Sequence, residues 1–275
     1  MLANLNDVLI PAKKKKYAVG LFNAINMEMG RGIVEAAEET GSPIIIGTAE
    51  VLLPAGPLDE LSWYLLPLAK KAKVPVVVHY DHGLTYEKCI EALELGFTSI
   101  MYDCSSDNYE ENIRKVKELV YVAHAQGATV EGELGHVGDN DEAARADATE
   151  FFTDPSQALD YVMRTGVDAL AIAVGTLHGA YKRKPKLDFE RISKIANTVS
   201  TPLVLHGGSG LTDEDFRRAI ACGISKVNIF TDLNVAGALG DRAALDLGKI
   251  GKTEMIPMEV EAIKQAAKTK MLLFK

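Results

Sequence analysis

The sequence predicts an α/β fold, a single (β/α)8 TIM barrel over residues 1–275, and three observations predict it. Short apolar or β-branched runs alternate with longer amphipathic stretches eight times, the pattern of parallel strands joined by helical crossovers. A count of eight favours closure into a barrel over an open sheet. No G-x-G-x-x-G follows the first run, which weakens a doubly wound dinucleotide-binding sheet. No linker or low-complexity tract divides the chain, and 275 residues is an ordinary size for one barrel.

Each element has its own local reason. Residues 2–10 carry Asn-Leu-Asn-Asp ahead of leucines and read as a short capping helix. Lys13-Lys14-Lys15-Lys16 reads as a solvated turn before the first strand. Strand one is 17–23 (YAVGLFN), and the Ala- and Glu-rich helix at 27–40 stops at Gly41. Strand two is 43–48 (PIIIGT), and the helix at 58–73 contains Pro67. Strand three, 74–80, is a valine run that gives way abruptly at His79-Tyr80-Asp81-His82-Gly83 to an acid and imidazoles. A helix at 85–95 closes at Gly96, strand four is 98–102 (TSIMY), and a long helix at 109–126 ends before Gly127. Strand five is 129–134 (TVEGEL). The polar segment 135–150 lacks periodicity, the pattern of a disordered stretch or a functional lid. Helix 155–165, strand six at 169–174 (ALAIAV) and helix 189–198 follow. Strand seven is 202–205 (PLVL), then helix 213–221 before Gly223, strand eight at 226–229 (KVNI), and a mostly helical remainder.

Composition excludes several functions. The chain is 47% hydrophobic with a net charge of −8, which fits a soluble globular protein and argues against nucleic-acid binding. No apolar run reaches the ~18–20 residues of a membrane span, and no signal peptide is visible, so a cytoplasmic location is expected. Cys89, Cys104 and Cys222 show no C-x-x-C spacing, which fits reduced thiols and excludes a cysteine zinc site.

In a barrel, the carboxyl ends of the strands face the active site. Those ends read Asn23, Thr48, Asp81-His82, Asp103, Glu131 and Glu133, His178, His206 and Asn228. His82, His178 and His206 follow strands three, six and seven, and three imidazoles with an open position make a common catalytic zinc site. Any one of them alone would be read as structural. Converging at one rim, they point to a metal. His79, inside its strand, and His124, on a helix, are assigned structural roles; His136 opens the polar segment and stands open to either reading. His206-Gly207-Gly208-Ser209-Gly210 and Asn228-Ile229-Phe230-Thr231 follow strands seven and eight, the usual phosphate site of a barrel. Glycines there let backbone N–H groups reach phosphate oxygens. The bland alternative is a pair of tight turns.

With these residues in place, the chain resembles the class II, metal-dependent ketose-bisphosphate aldolases, the group of fructose- and tagatose-bisphosphate aldolases. The likeness runs over about 17–232 and is carried by YAVGLFNAINME, YDHG, TVEGELG, VGTLHGAYKRKPKLDFERI, LVLHGGSGL and KVNIFTDLN. The resemblance implies reversible aldol cleavage of a ketose phosphate to dihydroxyacetone phosphate and an aldehyde, through a metal-stabilised enediolate. It implies His82, His178 and His206 as ligands of a catalytic Zn²⁺ or other divalent ion, and Asp103 and Glu133 at an auxiliary metal position. It implies Asp81 as the acid/base for the aldehyde-derived hydroxyl, and Asp141, then Glu142, as the base on the 135–150 loop. Asn23, Gly179, Lys182, Gly207, Gly208, Ser209, Asn228, Phe230 and Thr231 match the substrate and phosphate site. A monovalent cation and a homodimer or homotetramer also follow from the likeness.

Several positions depart from the family pattern. Cys104-Ser105-Ser106 stands for the usual GSH, Ala49 for a serine, and Phe230 for an aspartate that borders the acceptor sugar. No arginine for a second phosphate stands near Pro257-Met258-Glu259. The expected acceptor is therefore an aldehyde other than glyceraldehyde 3-phosphate, one without a phosphate. A Schiff-base aldolase is disfavoured, because strand six holds no lysine. A metal-dependent sugar-phosphate epimerase or isomerase is the second reading, and a non-catalytic metal-bound metabolite sensor the third.

Overall fold

The computed structural model of the chain describes residues 1–138, 151–179 and 185–275. Eight parallel strands close on themselves: β2 (Val19–Asn23), β3 (Ile44–Ala49), β4 (Val76–Gly83), β5 (Ser99–Tyr102), β6 (Thr129–Leu134), β7 (Ala169–Ile172), β8 (Leu203–Leu205) and β9 (Ile224–Ile229). Each is hydrogen-bonded to its sequence neighbours, and β9 returns to β2. The helices between them are α2 (Met27–Thr40), α3 (Leu58–Lys71), α4 (Tyr86–Leu95), α5 (Tyr109–Ala125), α6 (Pro155–Thr165), α7 (Phe189–Thr198) and α8 (Asp213–Cys222). After β9, α9 (Thr231–Asp246) and α10 (Lys252–Leu273) complete the shell. The fold is a (β/α)8 TIM barrel, as expected.

Strand alternation sorts the core into two layers. Ile44, Ile46, Val76, Val78, Val130, Leu170 and Ile172 face outward and pack under the helices. Val19, Leu21, Ile45, Val77, Ala169, Ala171 and Val204 face the barrel axis and form a separate cluster with Leu5, Val8, Leu9 and Ala12. Those last four lie on α1 (Leu5–Lys15), so this helix plugs the amino end of the barrel.

The amino terminus corrects two expectations. Leu2–Ala3 form a two-residue strand, β1, rather than the start of a helix. The edge of β4 at Val76 and Val77 has no β5 partner, because β5 begins opposite His79, and β1 fills that gap. The lysine run is not a turn: Lys13, Lys14 and Lys15 form the last turn of α1. Lys13 Nζ donates to Val199 O and Thr201 O at 2.8 and 3.1 Å, locking the plug to the barrel floor.

Strand three also runs further than its valines suggest. β4 continues through Asp81-His82-Gly83, pairing Ala49 with Asp81 and Gly83 with Tyr102. Its register breaks between Tyr80 and Gly83, where His82 takes a left-handed φ of 45°.

Candidate active site

The irregularity in β4 solves a geometric problem. In a regular strand, neighbouring residues point to opposite faces. His79 and Asp81 obey that rule and face the barrel interior, which should send His82 outward to the helices. The left-handed turn at His82 brings its ring back over the mouth beside Asp81. Such a conformation costs on the order of 1–3 kcal/mol in a residue with a Cβ.

His82, His178 and His206 converge. Their ring centroids lie 4.7 Å (His82–His178), 4.5 Å (His82–His206) and 5.7 Å (His178–His206) apart. One nitrogen of each lies within 4.8 Å of the others. Two of the rings are oriented from behind by carboxylates. His82 Nδ1 is 2.7 Å from Asp103 Oδ2, and His206 Nε2 is 2.8 Å from Glu131 Oε1. Those carboxylates accept, so each imidazole spends its N–H on the far side and turns a lone pair inward. The two inward nitrogens, His82 Nε2 and His206 Nδ1, face each other at 2.6 Å. Two lone pairs at that distance repel unless a positive charge offsets them, which a metal held by the three imidazoles would supply. The donor set therefore fits a divalent metal.

The surrounding acids are not equivalent. Asp103 Oδ1 accepts from Ser105 N and Oγ at 3.1 and 2.7 Å, and Ser105 Oγ meets His136 Nδ1 at 2.9 Å. His136 thus reaches the site through Ser105. Burial disfavours the Asp103 carboxylate, yet His82 and Ser105 outweigh it and hold the acid below its ordinary range. Glu133 is pushed the other way, up to about 8, by burial and then by Asp103. Its Oε1 accepts from Val137 N at 3.0 Å, while Oε2 has no hydrogen bond among the described residues and lies 3.8 Å from His206 Nδ1. Glu131 Oε2 is paired with the fully buried Lys226 at 2.6 Å. The cluster His79, Asp81 and Glu131 has metal-like spacing, but Lys226 supplies its positive charge.

Asp81, which gains no partner from sequence proximity, is held by two amides. Asn23 Nδ2 donates to Oδ2 at 2.8 Å, and Asn228 Nδ2 reaches Oδ1 and Oδ2 at 3.1 and 3.2 Å. The side chain is buried, which disfavours charge, but His82, His79 and Lys226 outweigh this and hold its pKa well below the usual carboxylate range. The carbonyl oxygens Asn23 Oδ1 and Asn228 Oδ1 are buried without a hydrogen-bond partner among the described residues. Buried acceptors of this kind are ordinarily satisfied.

The loops after β8 and β9 are sewn together. Gly207 has a φ of 65°, and a Cβ there would meet Leu177 O at 2.2 Å. Gly208 N donates to Asn228 O at 3.1 Å. Ser209 Oγ accepts from Phe230 N and Asp232 N, both at 3.3 Å, at the start of α9. Among the described residues the serine O–H has no acceptor, at a helix N-terminus that concentrates positive potential. Phe230 and Thr231 thus open α9 rather than close the eighth strand. Gly179 turns with a φ of 84° directly after His178. Thr48, expected at the site from its strand-end position, shares the strand face of the outward-facing Ile44 and Ile46. Asp141, Glu142 and Lys182 lie outside the described residues.

Sequence reasoning gave no role to Lys226, Ser105 or the Glu131 brace. A signal was present for Glu131: in TVEGEL two acids two residues apart point to the same face of a strand, and the outward face is Val130 and Leu134.

A closed parallel barrel with three imidazoles and a buried aspartate at its carboxyl rim has the donor set of a metal-dependent enzyme. The sequence matches the family model for class-II fructose-bisphosphate aldolase over residues 3–275. It is 40% identical to a fructose-bisphosphate aldolase of Thermus caldophilus, covering 100% of this chain and 98% of that one. It is 37% identical to a fructose-bisphosphate aldolase of Staphylococcus aureus, covering 99% and 97%. The crystal structure of the YdjI aldolase from Escherichia coli K12 superposes with a TM-score of 0.90 at 38% identity, covering 100% and 97%. The chain belongs to the class-II fructose-bisphosphate aldolase family, and it is a lyase whose aldol cleavage depends on a metal. No helix among the described residues is long and apolar enough to cross a membrane.

Proposed function

We propose that the protein reversibly cleaves a ketose phosphate into dihydroxyacetone phosphate and an aldehyde that carries no phosphate. His82, His178 and His206 hold Zn²⁺, which when bound polarises the ketone oxygen and stabilises the charge that builds there. Asp81 exchanges a proton with the aldehyde-derived hydroxyl, with Asn23 and Asn228 aiming its carboxylate. Gly207, Gly208 and Ser209, with Asn228 and Thr231 across the seam, take the donor phosphate, joined by Gly179 and Lys182. Asp141 or Glu142 removes the carbon-bound proton. Asp103 serves as the brace of His82, and with Glu133 it would supply carboxylates to an auxiliary metal. The protein acts in the cytoplasm as a homodimer or homotetramer, a reading supported by the exposed Val235, Leu239, Leu247 and Ile250 on and beyond α9.

The observation that carries the choice of acceptor is Glu259. Where the family resemblance expects an arginine, α10 presents this carboxylate, which accepts from Asn26 Nδ2 at 3.4 Å, three residues past Asn23. Burial raises its pKa, and Asp241 and Glu28 nearby raise it further against the pull of Asn26. A second phosphate would meet acids here, with Phe230 in place of a polar contact. Zinc-loaded protein assayed against ketose 1-phosphates and 1,6-bisphosphates tests this directly. The expected result is faster cleavage of the monophosphates, and Asp81→Ala lowering turnover by about 10²–10⁴-fold. A strong preference for bisphosphates rules out the acceptor. Interconversion of ketoses without release of dihydroxyacetone phosphate favours the isomerase instead.

A further inference from the structure

The barrel interior beneath Asp81 is polar at a level that such folds ordinarily fill with branched apolar side chains. His79 stands there, two residues before Asp81 on the same face of β4 and fully buried. Its Nδ1 lies 2.7 Å from Ser99 Oγ, its register partner on β5. Its Nε2 makes no hydrogen bond among the described residues and lies 3.6 Å from Asp81 Oδ1. Leaving a buried ring nitrogen unsatisfied is costly, so a resting role as core filler accounts poorly for this residue.

The neighbours fix which nitrogen carries the proton. Ser99 Oγ has His79 as its hydrogen-bond partner among the described residues, so its O–H donates to the Nδ1 lone pair. A proton on Nε2 then faces the ionised Asp81, whereas a lone pair there would be repelled by it. Both contacts select the same tautomer. The two charges facing the ring, Lys226 and Glu131, are paired with each other at 2.6 Å. Burial, then Lys226, keeps the imidazole below its ordinary range and therefore neutral.

We infer that His79, locked by Ser99, is a positioning residue for Asp81 in carbon–carbon bond cleavage and formation. Its Nε2–H is a third donor, approaching Oδ1 from below while the amides of Asn23 and Asn228 approach from β2 and β9. Closing the 3.6 Å separation to about 3 Å makes it a full hydrogen bond. Held from three strands, the carboxylate keeps its aim as a proton arrives and leaves. The inference rests on the acid/base role proposed for Asp81.

The test compares His79→Met, which removes the donor at similar volume, His79→Gln, whose amide nitrogen returns a donor near the Nε2 position, and Ser99→Ala, which frees the tautomer. Three quantities are measured on zinc-loaded protein: cleavage turnover, exchange of the carbon-bound proton of dihydroxyacetone phosphate with deuterium oxide, and zinc content. Proton exchange does not use the aldehyde hydroxyl, so it does not need an aimed Asp81. The expected result for His79→Met is cleavage slowed about 100-fold, the effect of roughly an ångström of misplacement, with exchange and zinc content retained. His79→Gln recovers most of the loss, and Ser99→Ala slows cleavage less than His79→Met does. Equal loss of cleavage and exchange, or wild-type cleavage by His79→Met, overturns the inference. If His79→Met does not fold, Ser99→Ala carries the same comparison. A wild-type protein that cleaves no ketose phosphate overturns the underlying function before any variant is compared.

Discussion

The two ends of the barrel interior are built from the same strands and held by different physics. At the amino end, Val19, Ile45, Val77, Ala169 and Val204 meet Leu5 and Leu9 of α1 in an apolar plug. Toward the carboxyl end the inward positions become His79, Asp81, Glu131, Glu133, Lys226 and Asn228, all buried. The plug gains stability from area removed from water and needs no particular partner. The polar end gains little from burial, because each charge taken from water must be matched by a bond. Asp81 takes its bonds from two amides, Glu131 from Lys226 and His206, and His79 from Ser99. One end therefore supplies folding energy and the other aims groups at a substrate. That division is open to mutation from both sides.

The largest effect on stability is expected in the plug. Leu9 is fully buried within that cluster, and Leu9→Ala leaves a cavity as well as losing transfer energy. The expected cost is about 2–5 kcal/mol by chemical denaturation, with turnover per folded molecule unchanged. Reduced turnover at full folding would show that the plug is coupled to the site, and the division would fail.

The matching change in the polar half is Glu131→Gln. Its amide has one acceptor oxygen where the carboxylate has two, so it cannot serve both the Nε2–H of His206 and the Lys226 ammonium, and it strips Lys226 of its charge partner. Disturbing such a brace typically weakens metal binding about 10–100-fold, which competition against a chromophoric chelator measures. Lys226→Met in the same background removes the orphaned ammonium and separates the two effects. Zinc affinity equal to wild type in Glu131→Gln would mean that the charge of Glu131 does not contribute to the brace on His206.

The difference between the two ends also decides what could be read in advance. Strand–helix alternation is a local pattern, so the barrel and its strand ends were legible from periodicity and glycine stops. The three histidines were legible because each follows a strand, and a closed barrel brings strand ends to one rim. What escaped was set by pairing across the barrel. Lys226 sits in ISKVNI looking like a solvent-facing strand residue, and its partner Glu131 is 95 positions away. Asn23 and Asn228 read as substrate contacts, while their observed bonds run to Asp81 from either side. β1 exists only because β5 starts too late to cover Val76 and Val77. None of these depends on a residue's own neighbours in sequence, which are all that periodicity can see.

The smallest prediction tests whether the plug acts as a helix or merely as grease. α1 begins with a reciprocal cap: Asn4 Oδ1 accepts from Asp7 N at 3.2 Å, and Asp7 Oδ2 accepts from Asn4 N at 3.0 Å. Asn4→Ala removes one half of that exchange at a half-buried position and touches neither Leu5 nor Leu9. Loss of such a cap costs about 1 kcal/mol, which in a chain of this length lowers the melting temperature by about 2–4 °C. If the plug needs only its apolar area, Asn4→Ala leaves the melting temperature where it was, since the leucines remain. If it needs α1 held as a helix at a fixed tilt, the shift appears in thermal melts while zinc affinity and turnover stay at wild-type values. The second outcome is expected, because Lys13 at the far end of α1 is also tied down, to Val199 O and Thr201 O, and a helix anchored at both ends transmits the loss of either anchor to the residues between.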